Sequence, residues 1–167
     1  PEQVRALTEE MRAVLGDPDA PILIDQEGGR VQRMGPPHWP KYPPGNAYLK
    51  ATNDPLAARE LVRLGARLMA HDLKSVGINV DCLPVLDVAV PGVHDVIGNR
   101  AYGQEPEIVS AMGKAAAEGL KAGGLMPIMK HMPGHGRTMV DSHHDLPVVH
   151  ASRAELEACD FVPFQRM

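Results

Sequence analysis

Cysteine is scarce in this sequence. Cys82 and Cys159 are the only two in 167 residues, and they stand far apart with no CxxC pair, which excludes a disulfide scaffold, a zinc ribbon and a redox motif. No apolar run approaches the roughly 18 residues that a membrane helix needs. The opening PEQVRALTEEMRAVL carries charges where a secretory leader has an apolar centre. Neither sign of charge is in strong excess: the formal net charge is −4 and the pI about 6.1, so neither nucleic acid nor a membrane surface is expected as a partner. These absences leave a soluble, cytoplasmic globular protein as the expectation. A hydrophobic fraction of 44% with 23% charged residues supports it, and the length suits a single core.

Glycine and proline, 16 of each, punctuate the chain. Val4, Leu7, Met11 and Leu15 recur at helical spacing until Gly16, predicting a helix over about residues 2–15. PILID then reads as a buried strand that opens at Asp25 into a loop. Residues 35–46 hold five of the 16 prolines and are expected to be irregular. Asp54 as N-cap with Pro55 at the first helical position starts a second helix, whose apolar stripe is expected to be Leu61, Leu64, Leu68, Met69, Leu73 and Val76. A strand follows over Asn79 to Val85, then a long polar loop. A third helix is expected from Glu105 to Ala122, a third strand in LMPIMKH, and a last helix opened by a Ser152–Glu155 capping box and running toward the end of the chain. Helix and strand alternate throughout. That order predicts an α/β fold of parallel strands with helical crossovers, in which ligands bind beyond the carboxyl ends of the strands. Asp25 to Arg33, Asp87 to Arg100 and Lys130 to His143 are then expected on one face.

Three segments carry possible chemistry. DQEGGRVQR offers carboxylates and guanidinium donors around two glycines, equally suited to a polar ligand or to a tight turn with a solvated ion pair; no Walker or GxGxxG pattern is present. GNR at Gly98 to Arg100 is promoted above an ordinary surface arginine only by its company. KHMPGHGRTMVDSHHD holds four of the eight histidines and so offers metal-ligand types. However, Pro133 and Gly134 stand between His131 and His135, which argues against a helical HExxH arrangement, and the glutamate of that motif is missing. No metal or other cofactor is therefore expected. Asp141 two residues before His143 follows another logic, because a carboxylate beside imidazole fixes its tautomer and leaves the other nitrogen to exchange a proton near neutral pH. His144 and His150 read as exposed loop residues, and Ser142 has no nucleophile elbow around it.

Taken together, IDQEGGRVQR, INVDCLPVLDV, GNRAYG and KHMPGHG followed by DSHHDLP resemble the family 3 glycoside hydrolases, most closely the bacterial β-N-acetylhexosaminidases of the NagZ type. The resemblance spans nearly the whole chain in the family's motif order. It implies a (β/α)8 TIM barrel enzyme that removes terminal β-linked N-acetylglucosamine with retention, in peptidoglycan recycling, from GlcNAc-anhydroMurNAc-type muropeptides. Matched by motif, it puts a His143 acid/base assisted by Asp141 on a mobile loop, and sugar binding on Asp25, Arg33, Arg100, Lys130 and His131. It gives Gly134 and Gly136 the role of letting the segment from Met132 to Asp141 swing. The family's nucleophilic aspartate, in an SDD-type segment, has no match here. Three strands are expected where a closed barrel has eight. Residues 1–167 are therefore expected to be an incomplete barrel domain with the nucleophile beyond Met167, inactive as this polypeptide alone, and monomeric as a complete enzyme. The same motifs also allow a β-glucosidase-like member or a non-catalytic sugar-binding chain.

Overall fold

A computed structural model of the chain describes residues 1–93, 95–138 and 146–167. Along it run α1 (Glu2–Leu15), β1 (Leu23–Ile24), β2 (Gln26–Gly28), β3 (Val31–Gln32), α2 (Ala47–Lys50), α3 (Pro55–Ser75), β4 (Val80–Asp81), α4 (Pro106–Ala122), β5 (Met126–Pro127), α5 (Arg153–Ala158) and α6 (Val162–Gln165). β1, β4 and β5 form a parallel sheet with β4 in the middle, Ile24 facing Asp81 and Asp81 facing Pro127. The expected α/β alternation and parallel sheet are both present.

Regular strand pairing is short because Pro84, having no N–H, cannot donate across the sheet. The parallel pattern nevertheless resumes one step on, where Lys130 N–H donates to Pro84 O at 3.0 Å and Leu86 N–H to Lys130 O at 2.7 Å. The helices α3 and α4 cover the sheet through a core that includes Val62, Ala66, Met69, Ala70 and Leu73 on one side and Met112, Ala115, Ala116 and Leu120 on the other. Small residues let the two helices meet closely; a side chain at Gly119 would lie 2.2 Å from Arg63 O.

Several expectations need correcting. Leu61, Leu64 and Leu68 are exposed, because α3 buries the neighbouring Ala58, Val62, Ala66 and Ala70 face instead. The first helix spans Glu2–Leu15 as expected, with Leu7, Met11 and Leu15 facing outward. What fastens α1 is polar: buried Thr8 Oγ1 donates to Val76 O at 2.7 Å and Arg12 Nη2 to Gly77 O at 2.7 Å. The stretch after Asp25 is an antiparallel hairpin of β2 and β3 rather than an open loop. Buried Gln26 closes it, its Oε1 accepting the Arg33 and Met34 N–H groups at 2.9 and 3.0 Å and its amide donating to Met34 O at 2.8 Å. The final helix stops at Ala158 and restarts as α6, where Pro163 cannot donate to Cys159. The capping box itself forms as read. No helix among the described residues is long and apolar enough to cross a membrane.

Candidate active site at the carboxyl ends of the strands

Each strand delivers a charged residue just past its carboxyl end. β1 leads to Asp25, β4 leads through Val85 to Asp87, and β5 leads to Lys130 and His131, while Glu27 rides on the hairpin between them. Lys130 Nζ lies 2.7 Å from Asp25 Oδ1 and 2.6 Å from Glu27 Oε1, bridging two carboxylates. Arg100, at the end of a 3-10 turn over Gly98–Arg100, grips Glu27 with two bonds of 2.8 Å and a third of 3.1 Å to Val96 O. Its Nη2 also lies 3.3 Å from His131 Nε2. On the other side of that ring, His131 Nδ1 is 2.5 Å from Asp87 Oδ2. Arg33 closes the outer end of the network, 3.4 Å from Asp25.

The structure thus brings together all five residues expected to hold sugar: Asp25, Arg33, Arg100, Lys130 and His131. With Val31, Cys82, Val96, Ile128 and His135 they line a cavity of about 440 Å³, inside the size range of small-molecule sites. The lining combines charged side chains with the apolar Val31, Val96 and Ile128. A larger cavity of about 590 Å³, lined by Asn46, Leu49, Lys50, Gly136 and residues 89–93, 95, 97–99 and 102–104, holds none of these five residues. Asp141 and His143 lie outside the described residues. Among the described residues no group of three or more histidine, cysteine, aspartate or glutamate side chains is placed to hold a metal.

Burial and charge pull the carboxyl groups in different directions. Burial works to raise the Glu27 carboxyl, yet Arg100 and Lys130 outweigh it and hold it below the usual glutamate range. Asp25 behaves in the same way: burial opposes, and Lys130 and Arg33 together win, keeping it ionised. Asp81 is the contrary case. It is fully buried, its Oδ1 accepts from Gln26 N–H at 3.1 Å, its Oδ2 has no hydrogen-bond partner among the described residues, and burial pushes it up to about 7.

Sequence reading missed Glu27, Asp87 and Asp81. Glu27 sat in the EGGR stretch read as a ligand loop or a local ion pair, but the local partner is wrong: Arg30 pairs with Asp95 at 3.0 Å and with the Val96 and Ile97 carbonyls, while Glu27 takes Arg100 and Lys130. Position was a signal for Asp81, which ends the parallel strand β4, whereas Glu27 lies within the antiparallel hairpin and Asp87 well beyond β4. Gly136 also changes role. Its Cβ would fall 1.8 Å from Val88 O, so close approach of backbone to backbone demands glycine there. His135 N–H to Asp87 at 2.7 Å and Arg137 Nε to buried Asp160 at 2.6 Å pin the same stretch. Gly134, at φ 130, is the position whose backbone needs glycine conformation.

Comparison with known proteins places these features in a group. Residues 2–167 match the model of the glycosyl hydrolase family 3 N terminal domain. A beta-hexosaminidase of Alkalilimnicola ehrlichii is 40% identical over 167 residues, covering 100% of this chain and 47% of its own length. The crystal structure of NagZ from Neisseria gonorrhoeae in complex with N-trifluoroacetyl-D-glucosamine superposes with a TM-score of 0.90 at 37% identity, over 99% of this chain and 48% of that one. The same gonococcal protein in complex with zinc ion gives 0.89 at 36% identity, with the same coverage. The chain therefore spans about half the length of the relatives it matches.

Proposed function

The chain belongs to glycosyl hydrolase family 3, its α/β fold being part of that family's (β/α)8 barrel, and on that premise we propose that it supplies the sugar-holding half of a retaining β-N-acetylglucosaminidase active site. The observation that carries the reading is the ion network of Asp25, Glu27, Arg100, Lys130 and His131 at the mouth of three parallel strands. Asp25 accepts hydrogen bonds from sugar hydroxyls, and Lys130 and Arg33 donate to sugar oxygens. Glu27 and Arg100 hold those groups in place. His143, assisted by Asp141, protonates the departing oxygen and then deprotonates water. A carboxylate from further barrel elements attacks the anomeric carbon, giving the glycosyl-enzyme of a retaining mechanism. The substrate class is terminal non-reducing GlcNAc on muropeptides of the GlcNAc-anhydroMurNAc type. The working form is a monomeric cytoplasmic enzyme in which residues 1–167 are one portion of the barrel domain.

The test is hydrolysis of p-nitrophenyl-β-GlcNAc by the full-length protein, with the β-glucoside in parallel and the first-formed anomer followed by proton NMR. The expected result is preference for the GlcNAc substrate, β-anomer released first, no loss on EDTA treatment, and a fall of about 10²-fold or more in His143→Ala. Preference for the glucoside would move the chain to the β-glucosidase branch. Loss of turnover on chelation would favour metal-dependent chemistry, and binding without turnover would favour a non-catalytic sugar-binding chain.

A further inference from the structure

His131 stands between two groups whose hydrogen-bonding polarity is fixed. Asp87 is fully buried. Its Oδ1 accepts the backbone N–H of His135 at 2.7 Å and faces that of His131 at 3.4 Å, so the carboxylate is committed as an acceptor. With Oδ2 2.5 Å from His131 Nδ1, that nitrogen carries the hydrogen. On the opposite side Nε2 meets Arg100 Nη2 at 3.3 Å. A guanidinium has donors only, so Nε2 turns its lone pair toward it. Arg100 cannot turn away, being tied to Glu27 by two bonds of 2.8 Å and to Val96 O. A doubly protonated ring would set two donors against each other at that contact.

His131 lines the cavity beside Asp25 and Lys130, with about a third of its side chain exposed. The 3.3 Å contact to Arg100 is long for a hydrogen bond, which leaves the Nε2 lone pair available to a second donor. We propose that Asp87 is a positioning residue that holds His131 as the Nδ1–H tautomer, so that His131 meets a sugar hydroxyl as an acceptor and the site requires a donating hydroxyl at that place. The proposal rests on the sugar-site reading above and refines it. Lys130, by contrast, is a donor only. Opposite polarities on neighbouring side chains would let the site read the direction of each hydroxyl's hydrogen bond as well as its position.

Two measurements on the full-length protein test this. In protein labelled with ¹⁵N-histidine, long-range proton–nitrogen spectra should show His131 protonated at Nδ1 and bare at Nε2. In Asp87→Asn, whose amide nitrogen donates, that pattern should be lost, a change that a merely structural role for Asp87 would not produce in an otherwise folded protein. Calorimetric titration with GlcNAc and its singly deoxygenated and singly fluorinated analogues then reads the polarity. Fluorine accepts weakly but cannot donate, so at the hydroxyl facing His131 the deoxy and fluoro sugars should both bind about tenfold more weakly than GlcNAc. Where the partner is a donor alone, the fluoro sugar should bind better than the deoxy sugar. An Nε2–H or doubly protonated His131 in the wild-type protein overturns the proposal and leaves the activity reading standing. So does a panel in which fluorine is tolerated at every position. Both wild-type measurements decide the matter even if Asp87→Asn fails to fold. Absence of hydrolysis with the predicted spectrum and binding panel would remove the activity reading and leave the tautomer assignment in place.

Discussion

Glu27 and Asp25 are two carboxylates held by the same lysine, yet they occupy different surroundings. The Glu27 side chain is 4% exposed and takes two cations, Arg100 at 2.8 Å and Lys130 at 2.6 Å. Asp25 is 41% exposed and shares Lys130 with the looser Arg33 contact at 3.4 Å. The difference separates scaffold from reader. Buried Glu27 has no free face for a ligand and fixes where Lys130 and Arg100 point. Half-open Asp25 keeps acceptor capacity toward the cavity. Under the proposed function, a network of this kind places its cations once, at folding, and so spares the cost of arranging them when a sugar binds.

The largest expected effect comes from breaking the buried side. Glu27→Ala leaves two cations without their acceptor and should cost about 3–5 kcal/mol of folding stability in urea denaturation of the full-length protein. A loss below about 1 kcal/mol would show that water reaches this pocket and that the buried description is wrong.

The next effect concerns Asp81, at the carboxyl end of the central strand. Its carboxyl is raised from an ordinary 3.8 to about 7 by burial. A carboxyl whose folded value is raised binds its proton more tightly in the native state, so stability is greatest below the unfolded value. It then falls as pH rises from about 4 to about 7. The full shift corresponds to a loss on the order of 4 kcal/mol. Asp81→Asn should flatten stability across that window, measured as unfolding free energy at a series of pH values. Glu27 acts with the opposite sign and in a separate window. Its carboxyl is lowered, so its contribution is present above the ordinary glutamate value of 4.5 and disappears as pH falls through the folded value below it.

On the open side the effects shift from folding to binding. Asp25→Asn should weaken GlcNAc binding by about tenfold, one charge-assisted hydrogen bond, while stability changes by less than about 1 kcal/mol because Lys130 retains Glu27. Calorimetry and denaturation on the same preparation read both. Arg33→Ala is expected to have the smallest effect on stability, within about 0.5 kcal/mol, since its side chain is 58% exposed. A stability loss larger than that of Asp25→Asn would contradict the division between scaffold and reader.

The fold was legible where local chemistry decides it. Gly16 ends α1 in the left-handed conformation, Asp54 caps α3 by accepting Leu56 N–H at 2.9 Å, and Ser152 with Glu155 caps α5. Hydrophobic periodicity was half right on α3: Met69, Leu73 and Val76 are buried as expected, but for Leu61, Leu64 and Leu68 size was mistaken for burial. The helix turns alanines toward α4, where small side chains allow close approach, and leaves Leu61, Leu64 and Leu68 outside. In the site, the five residues expected to hold sugar, which the structure brings together around one cavity, were named through motif resemblance. Glu27 and Asp87 were not, because their partners lie 73 and 44 residues away in the chain. No local pattern marks a carboxylate whose meaning depends on a distant arginine or histidine. The β2–β3 hairpin escaped for a related reason: buried Gln26 closes it with a side chain substituting for backbone pairing.

The central claim is that this network holds a sugar, and a crystal structure of the full-length protein with GlcNAc tests it most directly. The prediction is a sugar in the cavity of about 440 Å³, with hydroxyl oxygens at hydrogen-bond distance from Asp25 and Lys130 and the Glu27–Arg100 contacts unchanged. A sugar seated instead in the larger cavity beside Asn46 and Asn99, or one that touches neither Asp25 nor Lys130, would contradict it.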